Sequence, residues 1–309
     1  MDKKYDFDAF VDRLVKALEE FYGDGSEIKV RKIPKNNGTK MTGICLALEG
    51  DTAGIVVYAE GLFEQYLDGK SFGEIVLTFV ERVKQNRVAN INMNFLLNYG
   101  KVRKRLGFKL LNRARNRTIM RECPYEPFLD LILVPCCFVQ ISDDNTGVIG
   151  INNSMLEKWE ISKSQVFSDA WENSRKISRL NILSVQELMG IESEDMEDSG
   201  SKEILAKFFE PYNRHLAVTN TMKFYGASVM AFPENMEEIC RRVGGDYYLL
   251  PSSVHEWIAV PTGGFMNASD YAATVREGNQ IATKEHEILS YSVYYYDSKN
   301  KKLSIAYQG

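Results

Sequence analysis

Histidine is scarce in this 309-residue chain, and none of His215, His255 and His286 has a ligand-type partner three or four residues away. Paired ligands on one helix face are therefore not signalled, and no metal site is expected. The five cysteines, Cys45, Cys123, Cys136, Cys137 and Cys240, form an odd set without a C-x-x-C pair. That excludes a disulfide framework or a zinc knuckle as the organising device, and reduced thiols packed as small apolar groups are expected. No run reaches the roughly 18 apolar residues that span a bilayer, and the opening MDKKYDFDAFVDRL lacks the apolar stretch of a signal peptide. A soluble, cytoplasmic protein without a membrane partner is the expectation. No sign of charge dominates either, with 38 Lys and Arg against 42 Asp and Glu. The resulting formal charge of −4 argues against general affinity for nucleic acid. The pairs Gly244-Gly245 and Gly263-Gly264 are not followed by the GK[ST] of a phosphate loop, so they read as turns and no cofactor is implied.

What is present is ordinary globular material, 44% hydrophobic and 26% charged, in a chain longer than one typical core requires. Apolar residues from Phe7 to Tyr22 follow helical spacing and stop at Gly23. Two β-rich runs, 28–33 and 41–48, flank Lys35-Asn36-Asn37-Gly38, where Asn-Gly suits a hairpin turn, and a third run covers 54–58. Ser71-Phe72-Gly73-Glu74, Ser162-Lys163-Ser164-Gln165 and Ser184-Val185-Gln186-Glu187 carry the capping-box pattern ahead of apolar residues and predict three helix starts. The run 128–141, FLDLILVPCCFVQI, predicts a buried strand or strand pair interrupted at Pro135. The stretch 192–201, ESEDMEDSGS, has little to bury and reads as an acidic linker, which gives two expected domains, 1–198 and 199–309. Beyond it, 215–218, 228–232, 246–250 and 256–260 predict strands, 234–243 a helix, and 291–296 with 303–307 a closing hairpin. The expected class is α+β, with mixed or antiparallel sheets flanked by amphipathic helices.

Four stretches carry a resemblance: Lys35-Asn36-Asn37-Gly38, the run Tyr58-Ala59-Glu60-Gly61-Leu62-Phe63-Glu64-Gln65-Tyr66, then Pro127-Phe128-Leu129-Asp130-Leu131, and finally Leu250-Pro251-Ser252-Ser253-Val254-His255-Glu256. In order and spacing the chain resembles domain-of-unknown-function family 5688, a bacterial family found mainly in Gram-positive gut bacteria. It departs from the family at Ile55-Val56-Val57, where members often carry Pro and Thr. The resemblance implies no activity, cofactor or catalytic residue.

Two segments concentrate chemistry. Ser252, Ser253, His255 and Glu256 gather two hydroxyls, an imidazole and a carboxylate between two predicted strands. A nucleophilic serine ordinarily sits on a strand-to-helix turn with its histidine supplied from elsewhere, so the structural reading is a capped turn with a hydrogen-bonded histidine. Residues 101–117 hold Lys101, Arg103, Lys104, Arg105, Lys109, Arg113, Arg115 and Arg117 with no acid among them. They form a candidate phosphate-gripping face, or a solvated surface offset by acidic neighbours. Phe108 is the one aromatic in that stretch, which gives thin support for base stacking. Asp130, inside an apolar run, needs a partner, and a structural ion pair or a helix start is the expected solution. Asp143-Asp144-Asn145 with Gly147 resembles a turn and lacks the remaining ligands of a calcium loop.

No complete catalytic set emerges. A non-catalytic protein that engages a protein or small-molecule partner is therefore the leading expectation. A hydrolase built on the Ser252, Ser253, His255 and Glu256 segment, and nucleic-acid binding through residues 101–117, are the alternatives.

Overall fold

A computed structural model describes residues 6–49, 54–88, 93–142, 145–184, 187 and 214–309. The chain forms two compact units, one of residues 1–99 with 140–145, the other of residues 100–139 with 146–309. The fold is α+β, with every sheet antiparallel in its assigned pairings.

In the first unit, helix α1 (Phe7–Tyr22) starts where the Asp6 carboxylate accepts from the Ala9 amide at 2.8 Å and ends at Gly23, whose φ of 66° favours glycine. Its face of Phe10, Val11, Leu14 and Leu18 is buried, as the periodicity predicts. Strands β1 (Ser26–Pro34) and β2 (Lys40–Leu48) pair in register from Ser26↔Leu48 to Pro34↔Lys40, and β3 (Ile55–Tyr58) extends the sheet beside β2. Asn37 and Gly38 both take positive φ in the connecting turn, the conformation Asn-Gly supplies at low cost. Helices α2 (Glu60–Leu67) and α3 (Phe72–Val88) close over the sheet. The box at the start of α3 is present, with the Ser71 amide donating to Glu74 and the Glu74 amide to Ser71 Oγ. The core joins Phe10, Leu14 and Leu18 to Ile44, Leu46, Val57, Leu62, Ile75 and Phe79. Each such side chain is worth about 1.5–3 kcal/mol when fully removed from water.

Among the described residues the second unit holds two sheets, apart from residues 140–142 and Asn145, strand ends that fall to the first unit. In the smaller, β6 (Leu131–Ser142) pairs with β4 (Leu106–Asn112), with β5 (Glu126–Phe128) and with β7 (Asn145–Gly150). The larger runs in the order β13-β12-β10-β11-β9-β8, with β8 Leu180–Ser184, β9 Leu216–Asn220, β10 Tyr247–Ser253, β11 Glu256–Pro261, β12 Val293–Asp297 and β13 Lys302–Tyr307. Short helices α4 (Tyr99–Val102) and α5 (Arg117–Glu122) flank β4, and α6 (Asn153–Trp159) precedes α7 (Lys163–Ile177). Helix α7 lays Phe167 and Trp171 against Phe108 of β4, at 5.7 and 4.7 Å between ring centres. Helix α8 (Pro233–Val243) receives the Tyr247 hydroxyl on its Met236 carbonyl at 3.1 Å. Helix α9 (Ala268–Ile281) packs Tyr271, Ala272 and Val275 onto Leu250, Val260 and Val293.

Two expectations are corrected. Strand β6 runs unbroken through Pro135, which pairs with Phe108. Its carbonyl accepts from the Ile151 amide, so the missing N–H faces the same side, in the gap between β5 and β7 where no ladder bond is lost. Residues 226–231 form a 3₁₀ segment rather than a strand. Gly226 lies so close to β9 and the β10–β11 turn that a Cβ there would stand 2.2 Å from Thr219 Oγ1 and 2.5 Å from the His255 carbonyl. That contact wraps the segment over the sheet, where the Ala227 carbonyl takes the Trp257 indole N–H at 2.9 Å. Helix α9 has no counterpart in the sequence reading. The acidic stretch 192–201, where a domain boundary is expected, lies outside the described residues, as do Leu188, Met189, Asp143 and Asp144. The box at Ser184 is in place, with Ser184 and Glu187 exchanging amide bonds.

Candidate functional site

The tip of the β10–β11 hairpin holds the first candidate, with Ser253 opposite Glu256 across the turn. Ser252 Oγ donates to Glu256 Oε1 at 3.1 Å, and Ser253 Oγ accepts from the His255 amide at 3.1 Å. The His255 ring lies between Phe224 and Tyr225, 5.2 and 5.4 Å between centres, with 24% of its side chain exposed. Its Nδ1 accepts from the Tyr225 amide at 3.0 Å, which assigns the ring proton of the neutral form to Nε2. Nε2 faces Glu287 Oε1 at 3.8 Å, and His286 Nε2 stands 3.9 Å from the same oxygen. Interaction with His255 is the main cause that holds the Glu287 carboxyl below its usual value of 4.5, against the opposing effect of burial, with further help from the charges on His255, His286 and Lys284. Neither serine hydroxyl bonds to the imidazole.

The segment 101–117 is not one surface element. Lys101 lies in α4, Arg103, Lys104 and Arg105 form a 3₁₀ turn, Lys109 sits within β4, and Arg113, Arg115 and Arg117 follow the strand. Seven residues of strand hold the two basic groups roughly 20 Å apart. Arg103 bonds the buried Asp169 carboxylate at 3.0 Å, and Arg115 pairs with Glu285. Lys109 Nζ lies 5.6 Å from the Tyr225 ring centre.

Asp130 accepts three hydroxyls rather than a cation: Tyr294 at 2.6 Å, Ser292 at 3.0 Å and Ser290 at 3.3 Å. The expected ion pair is replaced because β12 and the turn before it bring these donors from 160 residues downstream. Burial, and then the Asp130 charge, push the Tyr294 phenol well above its usual 10. In the first unit, two of the resemblance stretches meet. Lys35 Nζ sits 4.1 Å from the Tyr58 ring centre, and Glu60 accepts from the Thr42 amide at 2.6 Å while its second oxygen is buried without a partner.

A further site is built by tertiary contact. The last turn of α7, Leu180 at the start of β8 and the first turn of α8 border an open pocket of about 220 Å³. Ser174 borders it, 1% exposed, but its hydroxyl, which has no hydrogen-bond partner, is closed to solvent and lies toward Gly107 of β4, 3.4 Å from where a Cβ there would stand. Ser178 Oγ accepts from Asn220 Nδ2 at 2.9 Å, which leaves its own proton unspent. Arg175 Nε bonds Glu234 Oε1 at 2.8 Å and stacks 5.1 Å from the Phe232 ring centre. Arg179 also lines the pocket and is exposed. Serines at 174 and 178 alternate with arginines at 175 and 179, and the like-charged pair at i,i+4 is the sequence signal that could have drawn attention here. A second pocket, about 180 Å³, lies between α9 and β10–β11 with Leu250, Ile258 and Val275 in its wall and Ser252 beside them.

Among the described residues no group of histidine, cysteine and carboxylate side chains is placed to hold a metal ion, and no helix is long and apolar enough to cross a membrane. A family of unknown function (DUF5688) matches residues 7–298. No curated protein and no solved structure matches the chain.

Proposed function

The chain belongs to that family of unknown function, and we propose from its own geometry that it is a non-catalytic binding protein whose second unit takes a small ligand in the α7–α8 pocket. The observation that carries this reading is the pocket itself, about 220 Å³ with Phe232 and Leu180 in its wall and, at Ser178, a hydroxyl that accepts from Asn220 and has its proton unspent. A pocket that is concave, partly apolar and furnished with a few unspent polar groups is the usual form of a small-molecule site.

The hydrolase alternative is less well supported, because Ser252 is spent on Glu256, Ser253 accepts within the turn, and neither hydroxyl bonds to His255, whose Nδ1 accepts from the Tyr225 amide. Nucleic-acid binding loses support from the separation of the basic groups across β4 and from the commitment of Arg103 and Arg115 to acids. The five free cysteines, two of them buried, favour a reducing compartment such as the bacterial cytoplasm.

The test is a thermal-shift screen of the full chain against small metabolites of anionic, neutral and cationic classes. A class that raises the melting temperature in the wild type and fails to do so in Ser178→Ala supports the reading. A screen in which nothing shifts the wild type, or in which the shift survives Ser178→Ala, overturns it.

A further inference from the structure

We propose that the groove between α9 and the β10–β11 hairpin binds a small, uncharged, ring-sized molecule that donates a hydrogen bond, at a site separate from the α7–α8 pocket. Its floor is the apolar cluster beneath α9, where Leu250 and Val275 are buried and Ile258 packs against them. No charged side chain lines it among the described residues, and a charged ligand would give up its hydration there without a counter-charge. A volume of about 180 Å³ suits one aromatic ring, since an apolar cavity of about 150 Å³ holds benzene.

The polar groups at its edge are acceptors. Asn279 is 3% exposed and borders the groove. Its Nδ2 donates to the Ser290 carbonyl at 3.1 Å, which fixes the orientation of the amide. Its Oδ1 is not closed to solvent and has no hydrogen-bond partner among the described residues. The rim hydroxyls have spent their protons: Ser252 on Glu256 at 3.1 Å, Thr274 on the Asp270 carbonyl at 3.4 Å and Thr283 on the Ser252 carbonyl at 3.2 Å. These hydroxyls and the amide oxygen offer only lone pairs, so a ligand that satisfies them must bring an N–H or O–H. An amide oxygen left unpaired beside an apolar wall carries a cost that such a donor removes.

The helix itself is shaped for this groove. Gly278 lies inside α9 and lines the groove, although glycine weakens a helix relative to alanine. Two ordinary reasons for a glycine are absent: its φ is not in the left-handed region, and a Cβ there would meet nothing within 4 Å among the described residues. Its remaining effect is to hold open the space that a side chain would fill, with Thr274 and Ala282 one turn to either side on the same face.

The experiment is titration calorimetry with the full chain, using phenol in one arm and toluene, its isostere without the hydroxyl, in another. Benzoate and benzylamine, a cation at neutral pH, are the charged controls. The expected result is saturable binding of phenol, at least threefold weaker binding of toluene and none of either charged compound. Gly278→Leu, whose side chain would occupy the groove, is expected to weaken phenol at least tenfold while melting no lower than the wild type. Ser178→Ala, in the other pocket, is expected to leave phenol binding unchanged. Independently of any variant, the amide resonances of Gly278 and Asn279 in the wild-type chain should shift as phenol saturates. No saturable binding of phenol, or toluene or a charged compound bound as tightly as phenol, overturns the proposal. So does phenol binding that Gly278→Leu leaves unchanged, that Ser178→Ala abolishes, or that moves neither of those resonances.

Discussion

Replacement of Tyr294 by Phe removes one oxygen atom from the interior of the second unit and little else. Tyr294 is fully buried and packs edge-on against Trp257 at 5.1 Å between ring centres, a contact that phenylalanine retains. What is lost is the 2.6 Å bond from the phenol to Asp130. Hydrogen bonds to a charged group are worth about 1.5–3 kcal/mol net. Asp130 keeps Ser292 at 3.0 Å and Ser290 at 3.3 Å and is partly exposed, so its charge is not stranded. The cost therefore falls in the lower half of that range, about 2 kcal/mol. Urea unfolding followed by tryptophan fluorescence reads this directly, because Trp159, Trp171 and Trp257 all belong to the second unit. The m-value should not change, since the area buried is the same. There is also a pH signature. The folded phenol titrates well above 10, so its contribution is complete below pH 10 and is lost as pH rises towards the folded value. The gap between wild type and Tyr294→Phe should therefore narrow in alkaline solution. A loss below about 0.5 kcal/mol at neutral pH would refute the view that the Asp130 hydroxyl cluster stabilises this unit.

Gly226→Ala should cost at least about 2 kcal/mol, since its Cβ would meet the His255 carbonyl at 2.5 Å and the Asn220 amide nitrogen at 2.6 Å, both backbone atoms that cannot swing aside; an unchanged urea midpoint would disprove the close approach. Glu287 has a folded pKa below its usual 4.5, so the stability it contributes is present above 4.5 and lost as pH falls below it. The stability difference between wild type and Glu287→Gln, followed by acid titration at fixed urea, should shrink over that interval, and a constant difference would show that the two imidazoles do not act on this carboxylate.

How much the sequence settled depended on the range over which each signal acts. Helix α1, the Asn37-Gly38 turn, the box at Ser71 and the β10–β11 and β12–β13 hairpins are decided by residues within a few positions of one another, through periodicity, capping and positive φ. The same local logic failed at residues 226–231, whose β-like composition yields to a steric contact with Thr219 and the His255 carbonyl. It failed also at Pro135, where the absence of an N–H is harmless only because of where β5 and β7 begin and end. The hairpin chemistry was legible as a list of residue types, yet its outcome was not. Whether His255 serves a serine or is held by Tyr225 and Glu287 depends on residues 30 positions before it and 32 after it.

By itself, then, the sequence determined an α+β chain of local elements and its family, because those follow from short-range propensities and from ordered motifs. Tertiary structure alone decided that β8 and β9, from opposite sides of the acidic stretch, pair in one sheet, that Asp130 is satisfied by hydroxyls 160 residues away, and that Ser174, Ser178 and Arg179 border a common pocket. The physical reason is that a buried polar group is satisfied by whichever partner the packing delivers, and spacing along the chain carries no record of that delivery.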